Sequence, residues 1–411
     1  MAVIRPFKAL RPKENVAHLV ASVPYDVVNR DEAAVMAQDF PFSYLRITRA
    51  EIELDKNINP YSEEVYLKAK ENLLKIKSQA PLITDEKSHL YIYKLVMGSQ
   101  EQVGIAATFS VDDYDNNVIL KHEKTRKDKE DDRTKHIVTT EAQTGPVFLT
   151  YRGVDAVNEA VDKTMQEISP VYDFTAPDGI KHTIWIMPDE YTGLVIKEIA
   201  SVKNLYIADG HHRAASAARA QKVKKENNPG HNGSEEYNFF LAVLFPAEQL
   251  RIMPYNRAVA DLNGLSEEEF FNKIKEHFTL EESGCPEPPE RRSFAMFIEG
   301  KWYLLKPNST LKPSESFGEN LDVSVLQNYL LNPILGIDDP RTNKRIDFIG
   351  GIRGTGELEK LVNSGRAAVA FSMYPVSVDD LMNISDAGEI MPPKSTWFEP
   401  KLRDGLLVHL I

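Results

Sequence analysis

Apolar positions recur along this chain at two spacings, and the changes between them mark out short, irregularly alternating elements. Val65, Leu67, Ala69, Leu73, Leu74 and Ile76 fall at helical spacing and predict an amphipathic helix over 62–77, with Ser62 as its cap. Further helices are predicted at 31–40, 125–139, 154–168, 190–199, 266–278, 323–335, 356–363 and 378–387. β-rich runs predict strands at 3–10, 44–48, 118–120, 147–151 and 367–374. The unbroken apolar run 239–245 reads as a buried strand. Turn residues between paired runs predict hairpins at 89–97 with 102–110, at 171–174 with 182–187, and within 293–305. This order predicts an α/β fold with an α+β tendency, built on a mixed β-sheet rather than a doubly wound parallel one.

Within this pattern, residues 204–218 stand apart. A short apolar strand, Leu205 to Ala208, turns at Asp209-Gly210 and runs through His211-His212-Arg213 into an alanine-rich helix. A helix start preceded by a glycine turn suits anions, because its first N–H groups have no intrahelical partner and its dipole end is positive. Arg213 would add a planar fork for phosphate or carboxylate. Asp209 would offer a carboxylate to a metal or a hydroxyl. The bland alternative is a capped helix with surface histidines. Adjacent histidines on a helix point about 100° apart and seldom meet on one ion.

Composition narrows the chemistry. At 411 residues the chain exceeds what one core usually serves. We expect an N-terminal α/β lobe (1–100), a core carrying the turn (101–250), a C-terminal α/β lobe (251–375) and a closing segment returning to the site (376–411). A net charge of −12 argues against nucleic-acid partners and for a small ligand in a locally basic pocket. The single Cys285 lies in a Pro- and charge-rich loop, which excludes an internal disulfide and fits a cytoplasmic setting. No apolar run is long enough to predict a signal peptide or a membrane span.

Three more stretches carry chemistry. His122-Glu123-Lys124-Thr125 places a carboxylate beside a histidine at a strand end, as a general base requires, although a glutamate at a helix start is also ordinary. The mixed charges that follow predict a solvated helix laced with i, i+4 pairs; its Asp128, Asp131, Asp132 and His136 match no defined metal motif. Pro392-Pro393-Lys394-Ser395-Thr396 combines a stiff approach, a cation and two hydroxyls without the glycines of a Walker loop. Pro24-Tyr25-Asp26 is weaker, since Asp26 also suits a turn cap. The glycine-rich 350–356 reads as a flexible loop or lid.

Taken together, Ile207 to Arg213, Lys121-His122-Glu123 and Gly388 to Thr396 resemble the motifs of the free L-serine kinases of the ParB/sulfiredoxin-like superfamily. The whole length resembles a large uncharacterised bacterial family with Pro-Tyr-Asp-Val, His-Glu-x-Thr, Ala-Asp-Gly-His-His-Arg and Met-Pro-Pro-Lys-Ser-Thr stretches. The resemblance implies a ParB/sulfiredoxin-like core and a kinase that phosphorylates serine, with Glu123 as base and Asp209 and His211 beside it. It implies phosphate contacts from Gly210, His211, His212, Arg213, Lys394, Ser395 and Thr396. Substrate contacts fall to His122, Thr125 and Asp26, and Mg²⁺ to Asp209. The donor is ATP, ADP or pyrophosphate, and a homodimer is allowed. The compact kinases differ in a shorter gap between the Glu123 and Asp209 equivalents and in having nothing like the first 100 residues. A non-catalytic ParB-like nucleotide-binding switch or partner-binding protein and, third, a metal-dependent phosphohydrolase are the alternatives.

Overall fold

The structure is a computed structural model describing residues 1–79 and 82–411. The described residues form two compact units: 1–121 with 125–250 and 400–411, and 122–124 with 251–399.

The first unit is built on a nine-stranded sheet. Its strands are β1 (Ile4–Arg5), β2 (Tyr91–Met97), β3 (Gln100–Ser110), β4 (Ile119–Leu120), β5 (Val147–Tyr151), β6 (Tyr172–Thr175), β7 (Lys181–Ile186), β8 (Leu205–Asp209) and β9 (Phe239–Pro246). They lie in the order β4-β8-β5-β9-β3-β2-β7-β6, with β1 also on β3. The pairs β4–β8 and β5–β9 are parallel and the others antiparallel, so the sheet is mixed, as expected. Every residue of β9 is buried, which an unbroken apolar strand flanked on both edges requires. The longer helices are α1 (Arg30–Ala37), α2 (Glu63–Gln79), α3 (Lys127–Thr140), α4 (Asp155–Glu167), α5 (Asp189–Ser201) and α6 (His211–Glu226).

Three expectations change here. Residues 44–48 form not a strand but a helical turn, Leu45–Thr48. Leu45, Ile47 and Thr48 are all buried, so the alternation does not sort two faces, and Arg46 instead donates to the Ala37 carbonyl at the end of α1 at 2.6 Å. α3 is not a solvated helix: Asp132, Thr134, His136, Ile137 and Thr140 are buried, and Glu130 and Asp131 pair with Arg219 of α6 rather than along their own helix. The boundary expected near residue 100 falls inside the β2–β3 hairpin, where Met97 pairs with Gln100. The described residues of 1–250, apart from 122–124, therefore belong to one unit, and 400–411 rejoin it.

The second unit contains a six-stranded antiparallel sheet. Its strands are β10 (Tyr255–Val259), β11 (Phe278–Glu282), β12 (Phe294–Ile298), β13 (Lys301–Pro307), β14 (Ile346–Gly350) and β15 (Val369–Met373), in the order β11-β13-β12-β15-β10-β14. Its helices are α7 (Glu267–Lys275), α8 (Thr355–Asn363) and α9 (Val378–Asp386). The helix expected at 323–335 is α-helical only over Asp322–Leu326, and a π turn follows over Gln327–Leu331. Residues 350–356 are not a loose lid. Gly350 ends β14 and a Cβ there would meet the Trp397 ring at 2.8 Å, while one on Gly351 would meet the Pro254 carbonyl at 2.7 Å. Among the described residues, no helix is long and apolar enough to cross a membrane.

One close approach in the first sheet gives a test. A Cβ on Gly104, in β3, would lie 2.7 Å from the Phe245 ring and 2.9 Å from the Leu244 carbonyl. Gly104→Ala should therefore lower the free energy of unfolding by about 1–3 kcal/mol in urea denaturation. An unchanged midpoint would show that β3 and β9 can move apart.

Candidate functional site

β8 and α6 form the turn that the sequence singles out. The pairing of β8 with β5 shifts between Ile207 and Asp209, a bulge that re-aims the last strand residue. Gly210 caps α6 at φ +91°, a conformation that glycine adopts without strain. A Cβ there would press on the Arg213 guanidinium, 3.0 Å from Nε. Ala214, Ala215, Ala217, Ala218 and Ala220 are buried, so small side chains let α6 pack closely.

Arg213 does not project outward as a fork for a ligand. Its side chain is only 9% exposed, donates to Asp209 Oδ2 at 2.8 Å, and also donates to the Pro146 carbonyl. Burial alone would lower its pKa, but Asp26, Asp209 and Asp404 outweigh that and hold it above its ordinary value. The expected phosphate contact is corrected on this physical ground: the guanidinium charge is spent inside the protein, fixing Asp209. Asp209 itself is 32% exposed, and its Oδ1 faces the Lys401 ammonium at 3.6 Å. His211 is buried. His212 Nε2 accepts the Arg126 backbone N–H at 3.0 Å, so this nitrogen caps the start of α3 and the ring proton belongs on Nδ1. The Thr125 hydroxyl bonds Glu130 in the first turn of the same helix. Asp26 is exposed and acts on Arg213 through space.

Behind Arg213 lies Asp404, a residue that sequence reasoning passed over as part of an apolar tail. It is buried, and its backbone pairs with Ser22 in both directions, N–H to carbonyl at 2.9 and 3.1 Å. Neither carboxylate oxygen has a hydrogen-bond donor in good geometry among the described residues. Burial pushes its pKa up to about 7, with Arg213 and Arg133 pulling down and Asp26 pushing up. A cavity of about 30 Å³ lies beside it, lined by Arg133, His136, Gly145 and Arg213, with room for one water. A Cβ on Gly145 would come 2.6 Å from Asp404 Oδ1, so glycine is needed at that approach. The available signal was the charge in Lys401, Arg403 and Asp404, set in an otherwise apolar closing run.

The other stretches lie in the second unit. The His122 carbonyl accepts the Met391 N–H at 2.8 Å, and its Nε2 lies 3.5 Å from Thr396 Oγ1. Two motifs 274 positions apart therefore meet there. Glu123 is half-buried. Lys394 takes φ +58°, with its carbonyl held by buried Arg257 at 3.1 Å and its ammonium 5.6 Å over the Tyr255 ring. The Ser395 hydroxyl donates to the Pro392 carbonyl at 2.6 Å and closes the turn.

Asp128, Asp131, Asp132 and His136 do not gather. They bond Arg126, Arg219, Tyr66 with Arg133, and Thr144 respectively. Among the described residues no three His, Cys, Asp or Glu side chains are grouped to hold a metal. Magnesium therefore has no ready-made protein cage there, and Asp209 would meet it only alongside ligand oxygens, the usual habit of that ion.

The chain belongs to the family described as Protein of unknown function (DUF1015), which matches residues 4–324. No curated protein matches it. Solved structures similar to it include a free serine kinase variant in complex with AMP, at 12% identity, covering 74% of this chain and 92% of that one, with a TM-score of 0.37. SbnI with a C-terminal truncation from Staphylococcus aureus shares 13% over 74% and 87%, with a TM-score of 0.39. A conserved hypothetical protein from Pyrococcus furiosus shares 14% over 75% and 95%, with a TM-score of 0.36. Scores this low leave this chain's chemistry to be argued from its own residues.

Two outcomes follow. Arg213→Gln leaves Asp404 buried without its main counter-charge and should cost about 3–5 kcal/mol of stability. Asp404 binds its proton more tightly folded than unfolded, since its pKa rises from 3.8 to about 7. Its contribution to stability is therefore present at low pH and falls as pH rises through that window. The unfolding free energy of Asp404→Asn, measured relative to the parent from pH 4 to pH 7, should increase by a few kcal/mol, of order; a constant difference would contradict the coupling.

Proposed function

We propose that this protein is a small-molecule phosphotransferase of ParB/sulfiredoxin-like type that phosphorylates the hydroxyl of free L-serine. The observation that carries the reading is the turn at 209–213: a bulged strand end presents Asp209 beside a helix start, and buried Arg213 holds that carboxylate in place. Together with the resemblance of the His-Glu, Asp-Gly-His-His-Arg and Pro-Lys-Ser-Thr stretches to the free-serine kinases, it supports a phosphate-handling site.

In this reading the donor is ATP, ADP or pyrophosphate, carried as its Mg²⁺ complex. The serine oxygen attacks the terminal phosphorus, forming a new P–O bond as the bridging P–O bond breaks, and the leaving ADP, AMP or phosphate keeps the electron pair on its former bridging oxygen. Glu123 accepts the hydroxyl proton. The backbone of the turn neutralises phosphate charge, while Arg213 acts on the donor only through Asp209. Such chemistry needs positioning and charge more than covalent catalysis.

A second reading is a non-catalytic nucleotide-binding switch. It is favoured by Asp209, whose two oxygens already face Arg213 and Lys401.

The test is incubation with serine, Mg²⁺ and each donor in turn, reading O-phosphoserine by mass spectrometry. Glu123→Gln should lose about 10²–10⁴-fold in turnover and keep nucleotide affinity. Full activity in that variant would remove Glu123 as the base. Nucleotide binding without any phosphorylated amino acid would select the switch.

A further inference from the structure

A second concavity, of about 300 Å³, lies in the first unit and contains no residue of the 209–213 turn. Its wall is made by residues of α3, the start of α2, the 3-10 turn Ala50–Glu53 and Tyr25, so the N-terminal segment builds most of it. Four cations line it, Arg30, Arg49, Lys129 and Arg133, against two carboxylates, Glu51 and Asp132. This surplus of two positive charges sits in a chain whose net charge is −12.

The partners of these groups decide which are available. Arg30 is occupied, donating to the carbonyls of Lys56, Glu51, Leu54 and Asp55. Arg133 is largely covered, its side chain 12% exposed, pairs with Asp132 at 2.8 Å and stacks 4.2 Å over the Tyr25 ring. Asp132 also accepts the Tyr66 hydroxyl at 2.9 Å. Arg49 meets Glu51 through Nε alone, at 3.1 Å. Lys129 has no carboxylate within ion-pair distance among the described residues and donates only to the Tyr61 hydroxyl, at 3.1 Å. Glu51 and Asp132 answer Arg49 and Arg133, and Arg30 is taken up by carbonyls, which leaves the Lys129 ammonium and the outer nitrogens of Arg49 as the cationic ends for a ligand, in a wall that also holds Tyr61 and Tyr66.

We propose that this pocket binds a small phosphate monoester, with Arg49 and Lys129 contacting the dianion and Tyr61 and Tyr66 walling its organic part. An arginine fork and a lysine point charge are the usual pair for a phosphate. The volume suits a small phosphorylated metabolite and is at the lower limit for ligand sites. The inference is independent of the reading given to the turn, because it uses different residues.

The test is calorimetric titration of the full chain with inorganic phosphate, O-phospho-L-serine and AMP, with L-serine as the uncharged control. A phosphate-bearing probe should bind saturably, and the double variant Arg49→Gln/Lys129→Gln should lose about tenfold or more in affinity. Arg219→Gln, whose guanidinium is not part of the pocket, should bind as the parent does. If the double variant fails to fold, Lys129→Gln and the exposed-ring variant Tyr61→Ala decide, each checked by circular dichroism: weakened binding in both supports the site, and parental affinity overturns it. Absence of binding by every phosphate-bearing probe overturns it, as does binding that Asp209→Asn abolishes, which would put the ligand at the turn.

Discussion

The buried guanidinium of Arg213 is the contact on which the rest of the first unit's chemistry depends. It is reached from α6, bonded to Asp209 at the end of β8 and to the Pro146 carbonyl, and backed by Asp404 from the last residues of the chain. A buried charge is tolerated only when paired and hydrogen-bonded, and here one cation answers to carboxylates from three parts of the sequence. Strand end, helix start and closing segment are therefore held to one another by a single group. Gly210 and Gly145 follow from it, since any larger residue at either position would push into Arg213 or Asp404.

This arrangement moves the role of the turn from side chains to geometry. A fork aimed at phosphate would need Arg213 in solvent, but its charge is consumed internally and what emerges is an oriented Asp209. His212 is similarly occupied in capping α3. In the second unit Ser395 closes its own turn and Lys394 adopts a left-handed conformation under Arg257. In both units the motif residues first stabilise tight turns; the Lys394 side chain is exposed beyond its turn and Asp209 is partly exposed beyond the other.

The dense charge of α3 has a comparable explanation. Its acids bond Arg219 across to α6, and its buried face supplies Asp132 and His136 to the interior, with Arg133 half-buried beside them. Burial and the neighbouring Arg133 hold His136 well below its ordinary pKa, so it is neutral and serves as a hydrogen-bond partner for Thr144. The N-terminal segment packs Tyr66 and Tyr25 onto the same residues. A helix whose dense mixed charge reads as solvated in fact lines two cavities.

What local sequence alone determined was most of the secondary structure and the turn itself. The strand 205–208, the glycine and the alanine helix follow from side-chain propensity and backbone sterics, which act over a few residues. So do the antiparallel hairpins, because short turns oblige antiparallel pairs, whereas the parallel pairs β4–β8 and β5–β9 join strands more than 80 residues apart. The strand expected at 44–48 failed because burial on every side overrode alternation. Only the tertiary structure decided what each charged residue faces. Asp404 looks like a stray acid in an apolar tail until the fold brings it behind Arg213. Arg213 is turned inward by Asp209 four residues back in the chain and by the distant Pro146 carbonyl, with Asp404 adding its field from behind. Electrostatic partners are chosen by distance in space and by exclusion of water, and neither quantity is written in the order of residues.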